Sequence, residues 1–227
     1  MSWIGIDTAT LCASVALLDP EGRPDVRVLG ERGGHARDLL DVLDRLLRAA
    51  RISPSDLRGI GVAVGPGSFT GVRVGMATAK GLALALNIPL VGLSTLEAIA
   101  RAATMNRSAG ISCVCPVLAA GRGEVYAARF EFTGREVLRL TSDRCWIPAA
   151  LHADLPADAV LAGDSPDARR QGEAGLGGRV HLQAPPCAVA IARWAASVVP
   201  PGARYQFGTP VPNYVRPSDA EAARGRA

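Results

Sequence analysis

One stretch limits what this chain can become. The apolar run Gly59–Val64 ends in a glycine-rich turn, Gly65–Ser68, and leads directly into Thr70–Leu86, a proline-free segment. Asn87 and Pro89 stop that segment, and Pro89–Leu93 is apolar again. Strand, turn, helix and strand in immediate succession place the chain in the α/β class. The helix carries small residues throughout: Gly71, Gly75, Ala77, Ala79, Gly81, Ala83 and Ala85. A glycine costs about 1 kcal/mol relative to alanine inside a helix. Three of them imply that another backbone comes close, either within the same molecule or from a partner.

Patterns on either side extend the reading. Trp3–Asp7 and Ala13–Asp19 predict strands, and Pro20-Glu21-Gly22 turns the second into a third near Val26–Glu31. His35–Arg51 predicts a helix, with leucines at helical spacing and Asp and Arg between them. Ser53-Pro54-Ser55-Asp56 breaks it. Thr95–Met105 predicts a third helix, with Ser94 as N-cap and Glu97 completing a capping box. The order β-β-β-α-β-α-β-α is that of a ribonuclease-H-like sheet.

Beyond a break near Asn106–Gly110 the pattern restarts. Cys113–Leu118 and Glu124–Phe132 predict paired strands around Gly121-Arg122-Gly123, and Glu136–Leu140 a third. Ala159–Ala162 and Val180–Gln183 predict later strands, Gly163–Gly178 a loop, and Cys187–Val199 a helix. A doubled unit is the architecture of actin-like ATPases (the ASKHA superfamily): two lobes, each a mixed sheet flanked by helices. Residues 1–106 are the expected first lobe, and 107–227 a smaller, degenerate second one.

Composition narrows the function classes. With 227 residues and 48% hydrophobic content there is material for two cores. The net charge of +4 is spread along the chain, and aromatics, at 4%, do not interleave with basic residues, so no nucleic-acid stacking platform is expected. The N-terminus lacks the pattern of a secretory signal, and no apolar run approaches the ~20 residues of a membrane span. The five cysteines form no CxxC pair. They fit buried thiols in a reducing cytoplasm.

Two loops invite a ligand. Asp7-Thr8-Ala9-Thr10 lies between the first two strands, where hydroxyls, backbone N–H groups and a carboxylate can hold phosphate and Mg²⁺; on spacing alone, a turn that only closes a hairpin is the commoner use of such residues. Gly65, Gly67, Ser68 and Thr70 open a helix, whose N-terminus favours an anion; they can equally be a capped β–α turn with Ser68 or Thr70 as cap. No Gly-Lys-Ser/Thr follows, so this is not a P-loop. His35, His152 and His181 are far apart in sequence, no GxSxG is present, and no carboxylate pair stands out for acid–base work. No catalytic residue and no metal site is assigned.

The residues IGIDTAT, SVALLD, HARDLLDVLDRLL and GIGVAVGPGSFTGVRVGMATAKGLALALNIPLVGLSTLEAIA, then PVLAAGRGEVYAARF and PNYVRPSDAE, closely resemble the TsaB (YeaZ) family of bacterial tRNA threonylcarbamoyladenosine (t6A) biosynthesis proteins. The resemblance spans residues 3–100 and resumes at Pro116–Phe130 and Pro212–Glu221. It implies a non-catalytic, cytoplasmic paralogue of TsaD, the subunit that transfers the threonylcarbamoyl group to adenosine 37 of tRNA. Implied partners are TsaD in a heterodimer, TsaE, a second copy when alone, and tRNA only through the complex. No cofactor is required, and ATP or ADP would bind only in the complex. The alternative is an independent, weak ATPase using Asp7, Thr8 and the Gly65–Thr70 turn.

Members of the family dock through two first-lobe helices, which match His35–Arg48 and Thr70–Leu86. The expected interface residues are Leu39, Leu40, Leu43, Leu46 and Leu47, with Val72, Gly75, Met76 and Ala79. Leu43→Arg or Gly75→Arg is expected to break docking in a folded monomer. TsaD carries two metal-binding histidines four residues apart; Thr95 and Ile99 stand at the matching positions. Ala119 stands where the family usually has Asp.

Overall fold

The computed structural model describes residues 1–29, 35–105, 111–134, 136–163, 181–183, 186–205 and 210–216. Its first sheet contains β1 (Ser2–Asp7), β2 (Ser14–Leu18), β3 (Pro24–Val28), β4 (Leu57–Ala63) and β5 (Leu90–Leu93) in the order β3-β2-β1-β4-β5. The first three strands are antiparallel; β4 and β5 run parallel to β1. All six residues of β1 and all five of β2 are buried, which suits central strands covered on both faces. The third strand starts two residues earlier than expected, at Pro24, and β3 is largely exposed as the sheet edge.

The helices of this half follow the leucine and glycine patterns. In α1 (His35–Ala50), Leu39, Leu43, Leu46 and Leu47 form one buried stripe. Arg51 ends the helix in a left-handed conformation, φ 56°. Helix α2 (Phe69–Leu86) is capped by Ser68, whose hydroxyl accepts a hydrogen bond from the Gly71 N–H at 3.1 Å. Asn87 closes α2, also left-handed. Helix α3 (Thr95–Thr104) is buried on nearly every side. Ser94 is its N-cap, but the capping box expected with Glu97 is not closed from both sides: the Glu97 carboxylate pairs with Arg101 and Arg139 instead.

The second half repeats the strand order in broken form. Strand β6 (Cys113–Gly121) is central. The single strand expected over Glu124–Phe132 is two, β7 (Glu124–Ala127) and β8 (Phe130–Phe132), which pair with different ends of β6. The third position is likewise split between β9 (Val137–Arg139) beside β8 and β10 (Arg144–Trp146) beside β7. After helix α4 (Pro148–Asp154), β11 (Val160–Gly163) and β12 (His181–Gln183) run parallel to β6 on its other side. Both sheets thus read 3-2-1-4-5, and the molecule has the actin-like architecture of two lobes with mixed, helix-flanked sheets. The expected break at Asn106–Gly110 and nearly all of the expected Gly163–Gly178 loop lie outside the described residues.

Two helices tie the halves together. Helix α3, from the first half, lies against β6 and β11 of the second sheet. Helix α5 (Ala188–Val198), from the second half, lies across β1, β2 and β4 of the first, so close that Gly5 and Gly61 leave no room for a side chain beneath it. The two sheets follow one another in chain order, while the covering of each sheet comes from both halves.

Candidate functional site

The two loops singled out in the sequence do meet, and they meet each other. The Asp7 carboxylate is fully buried. Its Oδ1 accepts hydrogen bonds from the Ala9 and Thr10 N–H groups at 2.9 and 3.3 Å, and its Oδ2 from the Thr10 hydroxyl at 2.6 Å. This is an Asx turn that closes on its own backbone. The Thr8 hydroxyl donates to the Gly71 carbonyl at 2.7 Å, and the Ser68 N–H to the Ala9 carbonyl at 2.8 Å. Thr70 stays exposed in the first turn of α2. Of the proposed phosphate-holding groups, Asp7 and Thr10 thus bond within their own loop, and Thr8 and Ser68 bond across to the other.

Two glycines of α2 make this contact possible. A Cβ at Gly71 would overlap the Thr8 carbonyl, and one at Gly75 would overlap the Thr8 hydroxyl. Gly67 is equally tight against Ala9. Gly65, at φ 102°, sits 2.7 Å from the Asn213 carbonyl oxygen when given a side chain. The intramolecular explanation for the small residues therefore accounts for Gly71 and Gly75. The remaining helical glycine, Gly81, has nothing within 4 Å.

Metal ligation at Thr95 and Ile99 does not fit. The Thr95 hydroxyl accepts a hydrogen bond from the Gly65 N–H at 3.1 Å, its own N–H donates to the Gly65 carbonyl at 2.9 Å, and Ile99 is fully buried in the core. Among the described residues, no three His, Cys, Asp or Glu side chains group as a metal cluster would. Burial and the neighbouring Glu124 charge push the Cys145 thiol above its ordinary range, which keeps it neutral and a poor nucleophile.

A cleft between the sheets remains. One cavity of about 240 Å³ is lined by Gly67, Phe69, Ala120, Tyr126, Tyr214 and Arg216; another of about 260 Å³ is lined by Thr10, Ser68 and Ala119 among others. Ala119, where the family usually has Asp, lines the same cavity as Ser68. Each cavity falls short of the roughly 300–1,000 Å³ of small-molecule sites.

The expected docking residues are placed differently from expectation. Leu39, Leu43, Leu46 and Leu47 of α1, and Val72, Gly75, Met76 and Ala79 of α2, are all buried within the monomer. Leu40 alone among them is exposed, at 52%. A charge at Leu43 or Gly75 would disrupt the core, so neither substitution can report on docking. Helical spacing located the apolar stripes correctly, but those stripes face the first sheet. The outer face of α2 exposes Ala77, Gly81, Leu84 and Ala85, with Leu84 at 63%.

Sequence reasoning missed a buried polar hub. Asp143 accepts hydrogen bonds from the Ser94 hydroxyl and the Asn213 amide, both at 2.7 Å, and from Arg139 at 2.6 Å. No local pattern marks Asp143, and the resemblance at PNYVRPSDAE assigns Asn213 no role.

Comparison with known proteins agrees with this architecture. The family model described as TsaD, tRNA N6-adenosine threonylcarbamoyltransferase, matches residues 32–163. The Escherichia coli tRNA threonylcarbamoyladenosine biosynthesis protein TsaB is 36% identical over 131 residues, 58% of this chain and 55% of that protein. The Bacillus subtilis protein of the same description is 33% identical over 132 residues, 58% of this chain and 56% of that one. The match thus spans little more than half the length of these curated relatives. The solved structure of YeaZ from Pseudomonas aeruginosa superposes with a TM-score of 0.78 at 28% identity, covering 94% of this chain and 100% of that one.

Proposed function

Since this chain belongs to the TsaD family and its relatives there are TsaB/YeaZ proteins, we propose that it serves t6A formation on tRNA as a non-catalytic subunit that binds and supports TsaD. The observation that carries this reading is the state of Thr95 and Ile99: where the catalytic paralogue has metal ligands, this chain has one hydroxyl tied to Gly65 and one core side chain. Asp7, turned inward onto its own loop, supports the same conclusion against an independent ATPase.

The docking face is the outer side of α2 together with Leu40 of α1. Ala77, Gly81 and Leu84 follow one another at i, i+4 and i+7, so they share a face. Gly81 weakens its helix by about 1 kcal/mol relative to alanine and has no internal neighbour to accommodate. A partner helix approaching closely supplies the missing reason. Alone, the chain pairs with a second copy through the same ridge; with TsaD it forms a heterodimer that TsaE joins. It meets tRNA only through that complex, in the cytoplasm, and needs no cofactor of its own, any adenine nucleotide binding only in the assembly. Among the described residues no helix is long and apolar enough to cross a membrane.

The test is co-elution of the purified chain with TsaD from the same organism, alongside mass spectrometry of tRNA from a strain lacking the gene. The proposal expects a complex and loss of t6A. No complex and unchanged t6A would overturn it.

A further inference from the structure

The segment at residues 210–216 crosses the cleft and bonds to both halves of the molecule. On the first-lobe side, the Asn213 N–H donates to the Val64 carbonyl at 2.7 Å, at the end of β4. Tyr214 lies 5.2 Å from the Phe69 ring, and its hydroxyl accepts a hydrogen bond from Arg73 of α2 at 3.0 Å. On the second-lobe side, the Asn213 amide reaches Asp143 at 2.7 Å, and Arg216 reaches Glu124 at 2.9 Å and the Ala120 carbonyl at 3.4 Å. Asp143 is itself held by Arg139 and by Ser94, the N-cap of α3.

We propose that residues 210–216 are an interlobe clasp, which sets how far the two lobes close. Three features carry this. The bonds alternate between the lobes along only a few residues. The residues that reach across, Asn213 and Arg216, meet carboxylates on β7 and after β9, the split strands of the second sheet. The segment is no core element: Val211 and Tyr214 are exposed and most of the remainder is half-buried. Its few hydrogen bonds are each modest beside global stability, so the clasp opens without unfolding either lobe. Opening uncovers the cavity that Asn213, Tyr214 and Arg216 now line, beside Gly67 of the Ser68 turn. This inference is independent of TsaD docking.

The clasp is tested on the full chain with nitroxide labels introduced through unnatural amino acids at Ala49 on α1 and Glu131 on β8, both exposed. Pulsed dipolar spectroscopy then reads the distance between lobes. The unmodified protein should give one narrow distribution. Asn213→Ala with Arg216→Ala should broaden it and lengthen its mean by several ångströms. Tyr214→Phe, which removes only the first-lobe bond to Arg73, should leave it narrow. A double variant that keeps the narrow distribution, or a Tyr214→Phe shift equal to that of the double variant, would overturn the clasp. Should the double variant lose its far-ultraviolet circular dichroism, Arg216→Ala alone gives the same reading.

Discussion

The two faces of α2 carry glycines for opposite reasons. On the inner face, Gly71 and Gly75 let the helix press against Thr8 in the β1–β2 turn. On the outer face, Gly81 borders open space between Ala77 and Leu84. The inner pair explains itself within one molecule; the outer residue does not. Small residues in a helix therefore mark close approach only after each has been assigned to a face. A stripe that looks like one interface can be half core and half docking surface.

That contrast can be broken by substitution. Gly71→Ala should have the largest effect, destabilising the fold by roughly 3 kcal/mol, because the neighbour in the way is the Thr8 backbone rather than a side chain that can move. Denaturant titration measures this, and a neutral result would mean that the β1–β2 turn yields easily. Ser68→Ala removes the cap of α2 and should cost about 1 kcal/mol by the same titration. Gly81→Ala should run the other way, stabilising the isolated chain by about 0.5–1 kcal/mol. If it also weakens binding to TsaD, the glycine serves the partner; if binding is untouched, the ridge is not the close-contact line.

Much of the first half was legible in the sequence because its signals are local. The buried runs of β1, β2 and β4, the Ser68 and Ser94 caps, and the leucine period of α1 each lie within a few residues. The second half was harder because its strands other than β6 are three or four residues long, and two of its positions are split. Arg129, whose N–H bonds to the Thr141 hydroxyl at 2.8 Å, lies where β7 gives way to β8. Strand β10 and helix α4 carry too few residues for a period to show. Periodicity also located the stripe of Leu39, Leu43, Leu46 and Leu47 without telling what covers it, since a core and a partner select the same residues. The clasp was invisible for another reason: Asn213 meets Asp143 70 positions earlier in the chain.

If the outer ridge of α2 docks on TsaD while the inner face serves the monomer, the two faces respond differently to substitution. Calorimetric titration of TsaD with the Leu84→Arg variant separates them. Leu84 is 63% exposed, so folding stability should change by no more than ~0.5 kcal/mol. Affinity should fall at least about 30-fold, the loss of ~2 kcal/mol typical of a residue central to an interface. A folded Leu84→Arg variant that binds TsaD as tightly as the unmodified chain would place the docking surface elsewhere.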